Sequence, residues 1–424
     1  MINSVAQTVK NNLCISCGVC AMVCSKKVIT FKFKNGIFSP VINDKCTQCG
    51  NCLKICPGVN VDFKVLYSDR KIPDNIFTGN DLGAYIIYSL DEKIRINGTS
   101  GGVISNLIYL LLRDKEYDYA AVLEYDKFDG IPAKIKVTNN IVDVLNASKS
   151  KYLPAMIDEV IMKIEQEPDK KYIIVGTPCQ FYSLFNYCSF KRINLNNILL
   201  FGLFCDKTMN YNFLDYLKRK YVNKKDNIIK LYYRSKGQDG WPGDVEIICS
   251  EKTYWIDKKY RMELKDYFQV NRCSYCIDKF NQIADISFGD CYIKGEESYE
   301  GKSNIIIRSE KGKEILEKYS NHFNIVQIPV DEIYKSQHVH EKMNNLANAY
   351  KIKSFQIYKN INNINQNNFV GYNVKLNKVN RLGARYNEFP LYYYLRIHNS
   401  QIQKAIIRKA INILKKLLKI VNIG

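Results

Sequence analysis

Two stretches constrain this chain more than anything else in it: CISCGVCAMVC, Cys14 to Cys24, and CTQCGNCLKIC, Cys46 to Cys56. Each reads Cys-x2-Cys-x2-Cys-x3-Cys, a spacing that suits cubane 4Fe–4S clusters. Three cysteines on one tight loop can face a common cluster. The fourth, a helical turn further on, points at the other cluster. The spacing therefore groups Cys14, Cys17, Cys20 and Cys56 around one cluster, and Cys46, Cys49, Cys52 and Cys24 around a second. Gly18 and Gly50 fit loops whose backbone must come close to a cluster and offer N–H groups to its sulfurs. Pro57 follows the second run, whereas Ser25 stands where a first proline is usual. Zinc also takes Cys-x2-Cys pairs, but two zinc sites would use eight thiolates with less regular spacing.

Between the two runs, VITFKFKNGIFSPVIND reads as two short strands around Asn35-Gly36, a hairpin signal. Residues 1–64 are thus expected to form the small two-fold α+β fold of a dicluster ferredoxin. So little core depends on its clusters to fold.

The whole chain has 424 residues and 15 cysteines. Two or three domains are expected at this length. The start, MINSVAQTVKNNLCISCG, lacks the apolar core of a secretory signal, which argues for a cytoplasmic protein whose cysteines serve metal or redox chemistry rather than disulfides. No run of about 18 apolar residues predicts a membrane-spanning helix. The net charge of +20 is uneven. Residues 346–424 carry 14 Lys+Arg against one acid, Glu388, and residues 1–64 carry 8 Lys against Asp44 and Asp62. The rest is nearly neutral, so a nucleic-acid partner is not expected.

After residue 64 the pattern changes to strands alternating with helices. GAYIIYSL and DYAAVLEY read as strands around a helix from Val103 to Leu112. Before that helix, Thr99, Ser100, Gly101 and Gly102 can offer donors to an anion, or simply cap it. KKYIIVGTPCQFYSLFNY reads as strand, loop and helix, with the loop 176–180 at the carboxyl end of a buried strand, where α/β folds place ligands. NNILLFGLFC repeats this and ends at Cys205. LYYRSKGQDGWPGDVEII is strand, turn and strand. NRCSYCIDKFNQIADISFGD carries Cys273 and Cys276 and closes on a strand ending at Gly289-Asp290. That pair is open to reading as half a zinc site, a redox dithiol, or half of a cluster with Cys179 and Cys205. Cys188, Cys249 and Cys291 read as small buried hydrophobes.

Taken together, GTSGGVISNL, SKSKY (148–152), VGTPCQ, GLFC, YRSKGQDGW and CSYCIDKFNQIADISFGD resemble the family of the coenzyme F420 hydrogenase/dehydrogenase beta subunit, over about residues 80–295. The resemblance implies FAD and a third 4Fe–4S cluster in this region, with Cys179, Cys205, Cys273 and Cys276 as its ligands. It also implies that Thr99, Ser100, Gly101, Gly102, Lys151, Thr177, Arg234 and Lys236 surround the flavin or its phosphates. For the Arg and Lys residues a structural salt bridge is the competing reading. Asp206-Lys207 and Asp290-Cys291-Tyr292 depart from what relatives carry at the presumed pocket, so no relative's substrate transfers directly.

The implied protein is an FAD- and 4Fe–4S-dependent oxidoreductase. Clusters carry single electrons and a flavin converts them to pairs. Electrons would pass from an acidic ferredoxin or flavodoxin, drawn to the basic first module, to an organic acceptor, with cell-surface polysaccharide synthesis as one setting. The alternative is an electron-transfer subunit of a larger dehydrogenase or hydrogenase, or a coenzyme F420-linked reductase. The expected architecture is an α+β dicluster ferredoxin domain (1–64), a mixed α/β flavin-binding domain in two parts (65–165 and 166–345), and a basic linker and helical tail (346–424). The Asn-rich stretch 360–368 reads as the linker. In the tail, Ile402, Ile406, Ile413, Leu417 and Ile420 form an apolar stripe with Lys404, Arg408, Lys415, Lys416 and Lys419 between them. Such a helix suits peripheral contact with the inner face of a membrane; packing on the main domain or a partner is the competing reading.

Overall fold

The computed structural model describes residues 3–125, 133–350, 356–361, 385 and 390–421. The chain opens with a hairpin of β1 (Ile29–Lys34) and β2 (Ile37–Ile42), paired from Ile29–Ile42 to Lys34–Ile37. Asn35 and Gly36 both take positive φ in its turn, as the sequence expects. A short strand, β3 (Val61–Asp62), leads out of this module.

The next strands are β4 (Gly83–Ser89), β5 (Tyr119–Tyr125), β6 (Ala133–Thr138), β7 (Tyr172–Gly176) and β8 (Ile198–Leu203). Then β9 (Ile228–Ser235), β10 (Asp244–Cys249) and β11 (Thr253–Ile256) form a separate antiparallel sheet. The chain returns to the main sheet through β12 (Ile286–Asp290), β13 (Ser303–Ile307) and β14 (Phe323–Ile328). The main sheet has eight strands in the order β14-β4-β13-β12-β8-β7-β5-β6. Its centre, β12-β8-β7-β5, is parallel; the flanking strands are antiparallel.

The parallel strands read as near-continuous apolar runs because both faces are covered. One face, with Ile173, Leu199 and Phe201, packs on the helix Val103–Arg113. The other, with Ile174 and Leu200, packs on the helices Asp158–Gln166 and Pro178–Lys191. That second core runs on without a break into the cysteine-rich module through Leu13, Val19, Ile55 and Val59. Asn186 ties the two further, donating to the Ile55 and Asn60 carbonyls at 3.2 and 3.0 Å. From the far end of the chain, β15 (Tyr358–Lys359) pairs in parallel with β3. Cys188, Cys249 and Cys291 are buried, as read from the sequence.

A helix spans Pro390–Val421. It docks through Tyr393, Ile397 and Gln401, four residues apart, on the aromatic core beneath the small sheet. Gln401 accepts from Tyr216 and Lys220, both at 2.9 Å. This corrects the expected faces. Lys404 lies over the Tyr267 ring at 4.8 Å and Arg408 pairs with Glu263, so these cations face the protein, while Ile402 and Ile406 are exposed. The aromatic and amide side chains decide the docking face, and the stem of a lysine covers an aromatic ring well. Residues 362–368 of the Asn-rich stretch lie outside the described residues. Among the described residues no helix is long and apolar enough to cross a membrane.

Candidate functional site: three thiol sets and a basic cavity

The two cysteine runs fold alike. Ser16 and Gln48 adopt positive φ, and each donates its backbone N–H to the preceding Cys14 or Cys46 Sγ at 3.4 Å. Gly18 and Gly50, also at positive φ, start the short helices Val19–Met22 and Asn51–Lys54. A β-carbon at Gly18 would meet Met156 at 3.3 Å besides the backbone strain. The helices carry Cys20 and Cys52 and point Cys24 and Cys56 across the module. Cys14, Cys17, Cys20 and Cys56 lie close enough to raise one another's pKa. Cys24, Cys46, Cys49 and Cys52 line one cavity of about 20 Å³. The first set is largely buried; the second opens to solvent at Cys49. Val5 N–H reaches Cys52 Sγ at 3.3 Å, and Thr8 sits 3.6 Å from Cys56 Sγ.

The structure brings a further four thiols together from three loops. Cys179 lies within the stretch 176–180 expected to be a loop, but in the first turn of the helix that follows β7, because Thr177 and Gln180 form a capping box with Pro178 at the start. Cys205 follows β8. Cys273 sits in the turn Asn271–Tyr275, and Cys276 just after it. Cys205 feels Cys273, Cys179 and Cys276, and Cys273 feels Cys179 and Cys276. Asn281 clamps the two strand ends, donating to Gly176 O at 2.8 Å and Leu203 O at 3.5 Å. Asn345 donates to Cys276 O at 2.7 Å and Cys273 O at 3.3 Å. Thr208 N–H and the Thr177 hydroxyl each lie 3.4 Å from Cys273 and Cys179 Sγ.

Burial pushes the Cys14, Cys17 and Cys273 thiols up to about 12 and Cys179 up to about 11. Burial alone thus keeps these sulfurs protonated, and iron must displace the protons. Sets of four thiols, with backbone N–H groups reaching the Cys14, Cys46, Cys52 and Cys273 sulfurs, fit a cubane with an iron at each ligated corner.

Two buried cations attend these sets, and neither was singled out from the sequence. Arg272 donates to Gly58 O at 2.9 Å and Pro57 O at 3.3 Å, beside Cys56, while its own backbone belongs to the turn that holds Cys273. Lys342 donates to Asp206 O, beside Cys205, at 3.0 Å. The letter R inside NRCSYC was the one available signal for Arg272. Lys342 lies far along the chain and carried none.

The residues assigned to a flavin by resemblance do gather, except Thr177, which serves the Cys179 helix cap. Thr99 Oγ1 accepts from Ser150 N–H at 2.9 Å; Ser100 donates to the Lys302 carbonyl; Gly101 N–H donates to Ser303 at 3.0 Å; Gly102 opens the helix Val103–Arg113. Lys236 donates to the carbonyls of Arg95, Ser100 and Glu300, and Lys151 to those of Ala147, Ser148 and Lys149. Burial lowers both ammonium groups to about 7; three carbonyl acceptors on each oppose this, since only the ammonium has three donors. Arg234 forms a buried two-point pair with Asp290, at 2.6 and 3.0 Å, and donates to Pro242 O at 2.7 Å. These three side chains are engaged rather than free donors. Only Lys151 of them lines the cavity of about 300 Å³ that Glu124, Ser148, Lys149, Ser150, Lys230 and Tyr232 also line, with Lys149 3.8 Å from the Tyr232 ring centre.

Residues 84–162 match the family model for the N-terminal part, and residues 169–332 that for the C terminus, of the coenzyme F420 hydrogenase/dehydrogenase beta subunit. Residues 13–60 match a 4Fe-4S dicluster domain. The chain belongs to the family of the coenzyme F420 hydrogenase/dehydrogenase beta subunit, with a dicluster ferredoxin-like domain followed by an α/β domain built on a large mixed sheet. Among its relatives is a coenzyme F420-dependent sulfite reductase of Methanocaldococcus jannaschii, 25% identical over 73% of this chain and 46% of that protein. An F420-dependent formate dehydrogenase 1 subunit beta of Methanococcus maripaludis is 24% identical over 55% and 58%. The chain thus spans about half the length of these two. A subunit of the F(420)H(2) dehydrogenase of Methanosarcina mazei is 23% identical over 77% of this chain and 87% of its own. In fold, the chain is similar to a chain of the F420-reducing [NiFe] hydrogenase complex from Methanosarcina barkeri, with a TM-score of 0.51, 19% identity, and coverage of 67% of this chain and 96% of that one.

Proposed function

We propose that this chain is an iron–sulfur electron-transfer subunit of a larger oxidoreductase, with a coenzyme F420-type organic carrier at one end of its path. The observation that carries this reading is the run of three thiol sets from surface to sheet. Cys46, Cys49, Cys52 and Cys24 lie at the solvent end. Cys14, Cys17, Cys20 and Cys56 lie behind them, with Cys20 and Cys56 close to Cys52. Cys179, Cys205, Cys273 and Cys276 lie beyond, with Cys17 close enough to act on Cys179. Cubane clusters, when bound, would supply one-electron chemistry. The thiols hold and space these centres, the backbone N–H groups stabilise charge on sulfur, and the shared core keeps the inner two sets from water. The subunit names of the formate and F(420)H(2) dehydrogenase relatives favour a partner-dependent role over the self-sufficient reductase also read from the sequence.

FAD does not fit Lys151, Arg234 and Lys236 as direct ligands, because their donors are already engaged. An anionic group entering the cavity would instead meet Lys149 and Lys230, with the Ser148 and Ser150 hydroxyls and the Glu124 carboxylate also on its lining.

Anaerobic iron and sulfide analysis of the full chain, with affinity purification from its own cells, tests the proposal. It expects about twelve irons per chain from three cubanes and stable co-purification with a catalytic partner. Reduction of a small organic substrate by the isolated chain, with dithionite as the only other reactant, would overturn the subunit reading.

A further inference from the structure

Arg272 is 4% exposed, and among the described residues no carboxylate lies within ion-pair distance of it. A buried guanidinium without an acid is costly. Its nearest anionic candidates are sulfurs on both sides. Its side chain binds the two carbonyls after Cys56, and its backbone turn carries Cys273. Tyr358, under the guanidinium at 5.6 Å, straps the same loop by donating to Tyr275 O at 2.7 Å and accepting from Ile277 N–H at 3.1 Å. Arg272 therefore links the loop after Cys56 to the turn that carries Cys273, and stands between the inner module set and the strand-end set.

Lys342 adds a further buried charge on the strand-end side, where the buried Asp278 and Lys279 follow Cys276 as a pair of opposite sign. It is 3% exposed, and its only close acid among the described residues is Asp206, at 3.8 Å, whose carboxylate is 43% exposed and hence partly screened. The solvent-side set at Cys46, Cys49 and Cys52 has no buried cation of this kind among the described residues. Nearby positive charge in a low-dielectric site favours the reduced, more negative form of a cluster and raises its potential.

We infer that Arg272 and Lys342 make the Cys179–Cys205–Cys273–Cys276 set the electron sink of the three, with potentials rising from the solvent-side set through the Cys14–Cys17–Cys20–Cys56 set to the sheet. This deepens the proposed electron-transfer role and rests on it. Each step moves one electron, with no bond made or broken; the module set is oxidised and the strand-end set reduced. The first electron comes from a low-potential one-electron donor. Arg272 and Lys342 are positioning residues that act through the charge of their neighbours.

The test is a redox titration followed by electron paramagnetic resonance on the anaerobically prepared full chain, with dithionite as reductant. The signal that reduces at the highest potential in the native chain is expected to be the one missing from Cys276→Ala. Lys342→Met and Arg272→Met are each expected to move that signal to lower potential with iron content unchanged, and Arg272→Lys to restore most of the shift. If Arg272→Met loses iron, Lys342→Met carries the test, because its side chain bonds only Asp206, through the carbonyl at 3.0 Å and the carboxylate at 3.8 Å. Persistence of the highest-potential signal in Cys276→Ala, or wild-type potentials in a charge-removing variant that keeps its iron, overturns the inference. A native content of about eight irons instead overturns the three-cluster reading beneath it.

Discussion

The ferredoxin-like module and the strand-end site use the same side chain in opposite ways. In the module, eight cysteines come from two runs of 11 residues, and their spacing alone sets which thiols meet. At the sheet, four cysteines come from three loops between Cys179 and Cys276, and only the parallel order of β7, β8 and β12 brings them together. The module's geometry is local and, with so little core of its own, its stability is expected to depend on its clusters. The strand-end geometry is imposed by a core that exists without it. Paired substitutions test this contrast, with the largest effect of all. Cys20→Ala is expected to lose iron from the module and open residues 1–64 to proteolysis, since their own core is small. Cys276→Ala is expected to lose about four irons and leave the proteolysis pattern unchanged. Equal resistance in both variants would break the comparison.

The buried pair of Arg234 and Asp290 extends the contrast to charge. Arg234 and Asp290 are both well buried, and Trp241 Nε1 also donates to Asp290 at 2.9 Å. Despite burial, Arg234 holds the Asp290 carboxyl below its usual range. Arg234→Met leaves that carboxylate without its counter-charge, and a loss of about 3–5 kcal/mol is expected, read from denaturant midpoints at neutral pH. The sign with pH follows. A depressed carboxyl contributes stability that is fully present above its ordinary value of 3.8 and is lost as pH falls through the depressed one. In the variant the same buried carboxyl, without its counter-charge, is raised above that ordinary value, so the gap should start to narrow as pH falls through the raised value and go on narrowing to the depressed one. A gap that does not change with pH would point to another cause.

Much of this molecule was legible where a pattern is short. The hairpin at Asn35-Gly36, the strands of the parallel core and the eight module cysteines follow from turn chemistry, apolar runs and spacing. The antiparallel strands β13 and β14 were not read, because SNIII and FNIVQI carry no turn signal that says which edge they join. The pairing of β15 with β3, from Val61 to Tyr358, has no local trace at all. The thiols of the strand-end set were reached through family motifs rather than spacing. The lysines and arginine assigned with them were legible as residue types but not as partners. Whether Lys236 meets a ligand or three carbonyls depends on where Arg95, Ser100 and Glu300 fall, and no periodicity encodes that.

Asn281 offers a smaller and more selective break. Its side chain holds the Gly176 and Leu203 carbonyls, one strand end from each of Cys179 and Cys205. Asn281→Ala leaves buried acceptors unpaired, at a cost of about 1–3 kcal/mol. If the sheet positions the strand-end thiols, the iron of that set should become labile to a chelator while module iron is retained. Equal loss from both would mean the two sites unfold as one unit.

The smallest effect is expected where the two regions touch. Tyr358 belongs to the strand that pairs with the end of the module, yet its hydroxyl binds the Tyr275 carbonyl and the Ile277 N–H on either side of Cys276. It holds the strand-end loop from the module's side. Tyr358→Phe keeps the ring against Arg272 and removes these two bonds together with a long one, 3.5 Å, that the hydroxyl accepts from Arg272, for a loss of about 1–3 kcal/mol. Because Ile277 is fully buried, its N–H finds no water in exchange. Hydrogen exchange should therefore quicken at Ile277 and little elsewhere. If protection falls across β7 and β8 as well, the loop and the sheet form one cooperative unit, and the scaffold is less independent of its site than the contrast with the module requires.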